Sequence, residues 1–291
     1  MIEPRGVASS RPARIRGRIA PVVWLNLVCL DAPIVAITWQ WFFARDFHLS
    51  LTASSRAALF LTSWLIYLAD RFADTWALQR NSPRSLRQEF CQRHQTPWIA
   101  AIAAIALLDL WIIAHQLDRG TIRMGMLIGA FSLIYLAINY WLGKTWRFLP
   151  IKETCVGSLF AVGTVAALLP QIGLSATFAT LFILFAALCS LNCIGIAIWE
   201  QDLDRAQCKN SIATRWSASR PYFRSGALGL IVLAIALGTK SSAQMYFCIS
   251  VSAALLVILD WLGERIPRDE RTALADLVLL TPLLLLTLGL A

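Results

Sequence analysis

Residues 175–205 read SATFATLFILFAALCSLNCIGIAIWEQDLDR. From Ser175 to Trp199 the stretch carries no charged side chain, and then Glu200, Asp202, Asp204 and Arg205 follow within six positions. A hydrocarbon core about 30 Å thick takes roughly 20 apolar residues as a helix. The run is long enough to span, and its end marks a membrane–water boundary. No period-2 alternation suggests a barrel strand, so helices are the spanning solution.

Eight more predominantly apolar runs of similar length lie on either side of it. The nine predicted spans lie at about 21–44, 56–76, 97–117, 122–143, 151–171, 175–200, 222–239, 243–262 and 272–290. The chain has 291 residues, 58% hydrophobic and only 15% charged, which excludes a disordered chain and argues against a soluble enzyme. The net charge is +9. The basic residues fall between apolar runs, so they point to orientation in a membrane and not to nucleic acid. With the N-terminus in the cytoplasm, 21 of the 26 Lys and Arg residues fall on the cytoplasmic side, the positive-inside pattern. The expected architecture is an all-α, polytopic membrane protein: a basic cytoplasmic segment over residues 1–20, then one nine-helix bundle over 21–291. In a bacterium it would sit in the inner membrane.

Seven cysteines, without a CxxC pair or a His/Cys cluster, suggest neither a zinc site nor a disulfide framework. Tryptophans at predicted helix ends, Trp24, Trp98, Trp199 and Trp261 among them, read as interface anchors. Gly157 and Gly163 read as points of close helix packing. Asp109 reads as a hydrogen bond or an ion pair inside the bundle. Asp276 is a marginal addition to the site, and Asp260 is expected in solvent at the interface.

Charged groups in a membrane cost about 2.5–3.5 kcal/mol each on insertion scales and by default mark function. Two acid pairs stand out. Asp70 and Asp74 close the second predicted helix, and Glu200 and Asp204 close the sixth. Each pair is spaced i, i+4, so its carboxylates stack on one helix face with Cβ atoms about 5–6 Å apart. Like charges at that spacing repel. A divalent cation reverses the sign, and Mg²⁺ typically takes one or two carboxylates plus substrate phosphates. Asp202 points elsewhere. The pairs are 130 residues and four helices apart, as a faint internal duplication would leave them. The long polar segments at about 77–96 and 201–221 follow them directly.

This layout resembles the UbiA superfamily of membrane prenyltransferases, whose two motifs read N-D-x-x-D-x-x-x-D and D-x-x-x-D. Asp70 and Asp74 match the last two acids of the first motif, while Ile66 and Tyr67 stand where its leading Asn and Asp would fall. Glu200 and Asp204 match the second motif, with Glu for the first Asp. Asp31-Ala32-Pro33 is similar to the family's D-x-P in helix one, and Lys152 falls where the family often has a basic residue facing the diphosphate. The resemblance implies transfer of an isoprenyl group from a prenyl diphosphate to a lipophilic, often aromatic, acceptor. It implies Mg²⁺ held by Asp70, Asp74, Glu200 and Asp204, which are also the catalytic set. Lys152, Arg71 and Arg205, and also Arg147, would bind the diphosphate, and Asp31, Tyr67 and Asn192 would line the cavity. The departure at Ile66 and Tyr67 leaves open a non-catalytic relative that binds lipid or assists assembly, and the duplicated halves with acids in the membrane leave open a transporter.

Overall fold

In the computed structural model the described residues are 20–79, 81–142, 151–173, 175–238 and 242–287. Residues 1–19 and 143–150, with the basic N-terminal segment and Arg147, lie outside them. Among the described residues every regular element is helical. In chain order these are α1 (Pro21–Leu27), α2 (Asp31–Asp46), α3 (Ala53–Trp76), α4 (Leu86–Arg93), α5 (Gln95–Gln116), α6 (Arg119–Leu142) and α7 (Ile151–Val165). Then follow α8 (Ala176–Trp199), α9 (Gln201–Ala206), α10 (Ile212–Arg215), α11 (Ser219–Leu237), α12 (Ala243–Leu262), α13 (Arg268–Leu277) and α14 (Thr281–Thr287). Among the described residues, α5, α8, α11 and α12 are long and apolar enough to cross a membrane, with a fifth span if α1 and α2 count as one.

Two predicted spans are broken, each at a proline. The first bends by 90° between α1 and α2. Pro33 has no N–H to give and its ring crowds the carbonyl four residues back, which disfavours a straight helix through Cys29 without by itself setting the turn. Cys29 takes a left-handed φ of 57°. Asp31 then opens α2 by accepting the backbone N–H of Ala32 at 3.0 Å. The Val28 carbonyl, near the bend, accepts the Trp64 indole N–H at 2.9 Å. The last predicted span splits at Pro282 into α13, a 3₁₀ turn (Val278–Leu280) and α14. There the Val278 carbonyl accepts the Ser252 hydroxyl at 2.9 Å.

Helix association in lipid is driven by packing and interhelical hydrogen bonds, since lipid tails are as apolar as leucine. The main core gathers α2, α7, α8 and α11 through α14. Trp39 pins it: its ring stacks on Phe185 with centroids 4.5 Å apart, and its indole donates to the Leu279 carbonyl at 2.8 Å. Gly157 brings α7 against α8 so closely that a Cβ there would run into the backbone of Cys189 and Ser190. Gly163 has nothing within 4 Å of such a Cβ and is not a packing point. A smaller core joins α3, α4 and α5. Within it Thr62 donates to Asp109 at 2.6 Å, the interior hydrogen bond expected for that acid.

Three further expectations need correction. Trp98 and Trp199 are buried and serve as donors, Trp98 to the Leu68 carbonyl at 3.0 Å and Trp199 to Asp260 at 3.0 Å. They are ties between helices and not interface anchors, whereas Trp261 is 70% exposed. Asp260 is buried, because Arg224 and Arg220 from α11 reach across to it at 2.6 and 3.3 Å. Asp276 lines a small interior cavity and is central to an interior polar cluster.

Candidate functional site

The two acid motifs are positioned by the ends of α3 and α8. Asp70, Arg71 and Asp74 occupy the last two turns of α3. Glu200 is the junction between α8 and α9, with φ −96° and ψ 6°. The helix therefore kinks at the first acid of the second motif. The Asp204 N–H still donates to the Glu200 carbonyl at 2.9 Å, so the i, i+4 relation survives the kink.

The two polar loops meet over these ends. Arg87, from α4 in the first loop, donates to Glu200 at 2.5 Å. Thr272 of α13 donates to the other oxygen of Glu200 at 3.4 Å. Lys209, from the second loop, pairs with Asp74 of the first motif at 2.5 Å. Gln207 donates to the Pro83 carbonyl at 2.8 Å and to Gln88 at 2.9 Å. Ser85 and Gln88 form a capping box that starts α4 and so fixes where Arg87 points. Glu153, the buried neighbour of Lys152, accepts the Ile212 N–H at 2.9 Å and ties α7 to α10. It is a bridge between elements.

The charges converge as well. Lys152 and Lys209 both act on Asp70 and on Asp204. Arg71 faces Cys29, Asp31, Asp70 and Glu200. Burial pushes the Asp204 carboxyl up from the usual range; the Ser211 hydroxyl opposes that by hydrogen bonding, and the Glu200 charge adds to it. Arg205 is not brought to this cluster. It is exposed and pairs at 3.7 Å with Asp202, which is itself almost fully exposed.

Beneath the acids, toward the centre of the bundle, lies a small cavity of about 20 Å³. Tyr67, Asn192, Asp276 and Cys193 contribute to its lining. Asn192 donates to Asp276 at 2.8 Å, and Asn26 donates to Asp31 at 2.6 Å. Asp31 and Asp276 come within hydrogen-bonding reach of one another. The Asn192 carbonyl oxygen is buried without a partner. Tyr67, Asn192 and Asp31 thus fall together, and Asp276 joins them. Arg87, Lys209 and Thr272 were not singled out from the sequence. Their signal is weak: they stand among other polar residues, and nothing local says which of these will reach an acid.

The metal expectation can be tested on this donor set. Among the described residues no three acids, histidines or cysteines gather into a metal cage. Glu200 and Asp74 are committed to Arg87 and Lys209. Asp70 and Asp204, under the same two lysines, remain as hard oxygen donors. A magnesium ion bound with a diphosphate takes one or two carboxylates and fills its shell with phosphate oxygens and water. By number and kind these two carboxylates are the donors that role takes, and the full four-carboxylate set does not come together among the described residues.

No family model matches the chain, and no curated protein or solved structure matches it significantly.

Proposed function

We propose that the chain is a nine-span membrane prenyltransferase with its N-terminus in the cytoplasm, acting on a prenyl diphosphate with Mg²⁺ and passing the prenyl group to a lipophilic or aromatic acceptor. The observation that carries this reading is the joining of the two acid motifs, with their loops, into one polar cap over a helical bundle. Asp70 and Asp204 would hold the metal, which when bound neutralises diphosphate oxygens and stabilises the leaving group. Lys152 and Arg71 supply further positive charge to the diphosphate, Arg71 by the bidentate fit of a guanidinium to phosphate oxygens. The prenyl tail is hydrocarbon and belongs among the apolar helices. The loops held together by Arg87–Glu200 and Lys209–Asp74 exclude water, which would otherwise capture an electron-poor prenyl carbon.

One observation favours a second reading, a non-catalytic lipid-binding or assembly protein. Two of the four acids are already neutralised by protein cations, and Tyr67 stands at a motif position normally acidic. The two readings part on turnover. The purified chain is incubated with a labelled prenyl diphosphate and a panel of aromatic acceptors, with Mg²⁺ or chelator. A transferase releases diphosphate only with Mg²⁺, and Asp70→Ala abolishes the release. A folded chain that binds the diphosphate and never releases it contradicts the transferase reading.

A further inference from the structure

A second charged centre lies apart from the acid motifs, where α8, α11, α12 and α13 meet. Its middle is the buried Asp260 carboxylate, which accepts the Trp199 indole at 3.0 Å, Arg224 at 2.6 Å and Arg220 at 3.3 Å. Arg271 stacks over the Trp199 ring at 5.4 Å, and its electrostatic neighbours are Arg220, Asp260, Glu264 and Arg268. Four guanidiniums therefore surround two carboxylates. Arg271 is only 8% exposed, and its Nε–H is buried with no partner, as is that of Arg268. Burial, with the Arg220 charge beside it, pushes Arg271 down from its usual value. A buried donor left unsatisfied is costly, and a surplus of like charge adds to the cost. The excess of guanidinium over carboxylate leaves this corner of the bundle able to accept a further anion at its exposed arginines.

The surface around this centre indicates which anion. Arg220 and Arg224 sit one turn apart at the start of α11, and their side chains are 49% and 44% exposed. The same broad stripe continues through Leu228, Val232 and Ile235, which are 54%, 67% and 62% exposed. Residues four apart share a helix face, so two guanidiniums head an open apolar track. That is the shape of a phospholipid: charged head at the arginines, acyl chain along the track.

We propose that this corner of the bundle binds an anionic phospholipid, its phosphate on Arg220 and Arg224 and its tail along the exposed face of α11. Arginine suits the role because its planar fork offers several donors at once: one set serves Asp260 and another faces outward. The acidic leaflet of a membrane supplies the ligand on the side to which the positive-inside pattern assigns these residues. The site does not depend on the transferase reading.

The test is the thermal unfolding midpoint of the purified full chain in neutral detergent. It is titrated separately with phosphatidylglycerol, phosphatidylcholine and inorganic phosphate. Phosphatidylglycerol raises the midpoint saturably, and the other two do not. Arg220→Gln raises the half-saturating phosphatidylglycerol concentration about fivefold, and removing Arg224 as well raises it about twenty-fivefold in all. Arg220→Gln leaves the 2.6 Å Arg224–Asp260 pair in place, so it keeps the fold if the double variant does not. Equal effects of phosphatidylglycerol and phosphatidylcholine, an equal effect of inorganic phosphate, or an unchanged response in Arg220→Gln would each overturn the proposal.

Discussion

Glu200 does two jobs at one position. It ends α8 and starts α9, and its carboxylate joins Arg87 of one loop to Thr272 of α13. Its side chain is 9% exposed and that of Arg87 is 16% exposed, so the pair is desolvated. Removing one partner of such a pair strands the other charge, at a cost of about 3–5 kcal/mol. Glu200→Ala is therefore expected to unfold well below the wild type in a thermal melt, while Glu200→Leu with Arg87→Met recovers most of the loss. Equal melts for the single and double variants would refute the pairing. Asp204 makes a pH prediction. A carboxyl whose folded-state value lies above its unfolded value binds its proton more tightly when folded. Folding is then favoured at low pH, and the advantage is lost as pH rises from the unfolded value of about 3.9 through the folded one. Burial is the cause of the upward shift. Asp204→Asn is accordingly at least as stable as wild type at neutral pH, and the difference shrinks as pH falls through that window. A variant less stable at pH 7 would contradict the assigned burial penalty.

At the scale of elements, α7 and α8 provide the clearest contrast. Gly157 faces the Cys189–Ser190 backbone without room for a methyl group, while Gly163 in the same helix faces open space. Gly157→Ala forces the helices apart and should lower stability by about 1–3 kcal/mol, the usual cost of overpacking. Gly163→Ala should raise stability by about 0.5–1 kcal/mol, since alanine loses less backbone entropy in a helix. Unfolding of both variants in detergent checks the pair, and the same sign for both would refute the packing account. The long helices were legible from their apolar runs, although among the described residues only four, or five with α1 and α2 taken together, are long and apolar enough to cross a membrane. Their breaks were legible only in part. Pro33 and Pro282 stand in plain view, but a proline near a helix start is tolerated, so the 90° turn at Cys29 rests on contacts such as Trp64 to Val28 that no local pattern encodes. Gly163 misled for the same reason: a glycine in a helix signals close approach only if a partner is opposite.

For the whole molecule, the legible part of the site was spacing, and the hidden part was pairing. Asp70 with Asp74 and Glu200 with Asp204 follow from the helical repeat. That Arg87 would reach Glu200, and Lys209 Asp74, depends on two loops more than a hundred residues apart meeting in space. Loop pairing of that range has no periodic signature. Asp276 was undervalued likewise, because its partners Asn192 and Asp31 come from distant helices. The central claim is that the two acid motifs form a single site. It is tested by the binding of a labelled prenyl diphosphate to the purified chain, with Mg²⁺ and with chelator, in wild type, Asp70→Ala, Asp204→Ala and the double variant. A single site predicts that either substitution alone removes the Mg²⁺-dependent binding and that the second adds nothing. Partial losses that sum in the double variant, or binding indifferent to Mg²⁺ in every form, would contradict the account.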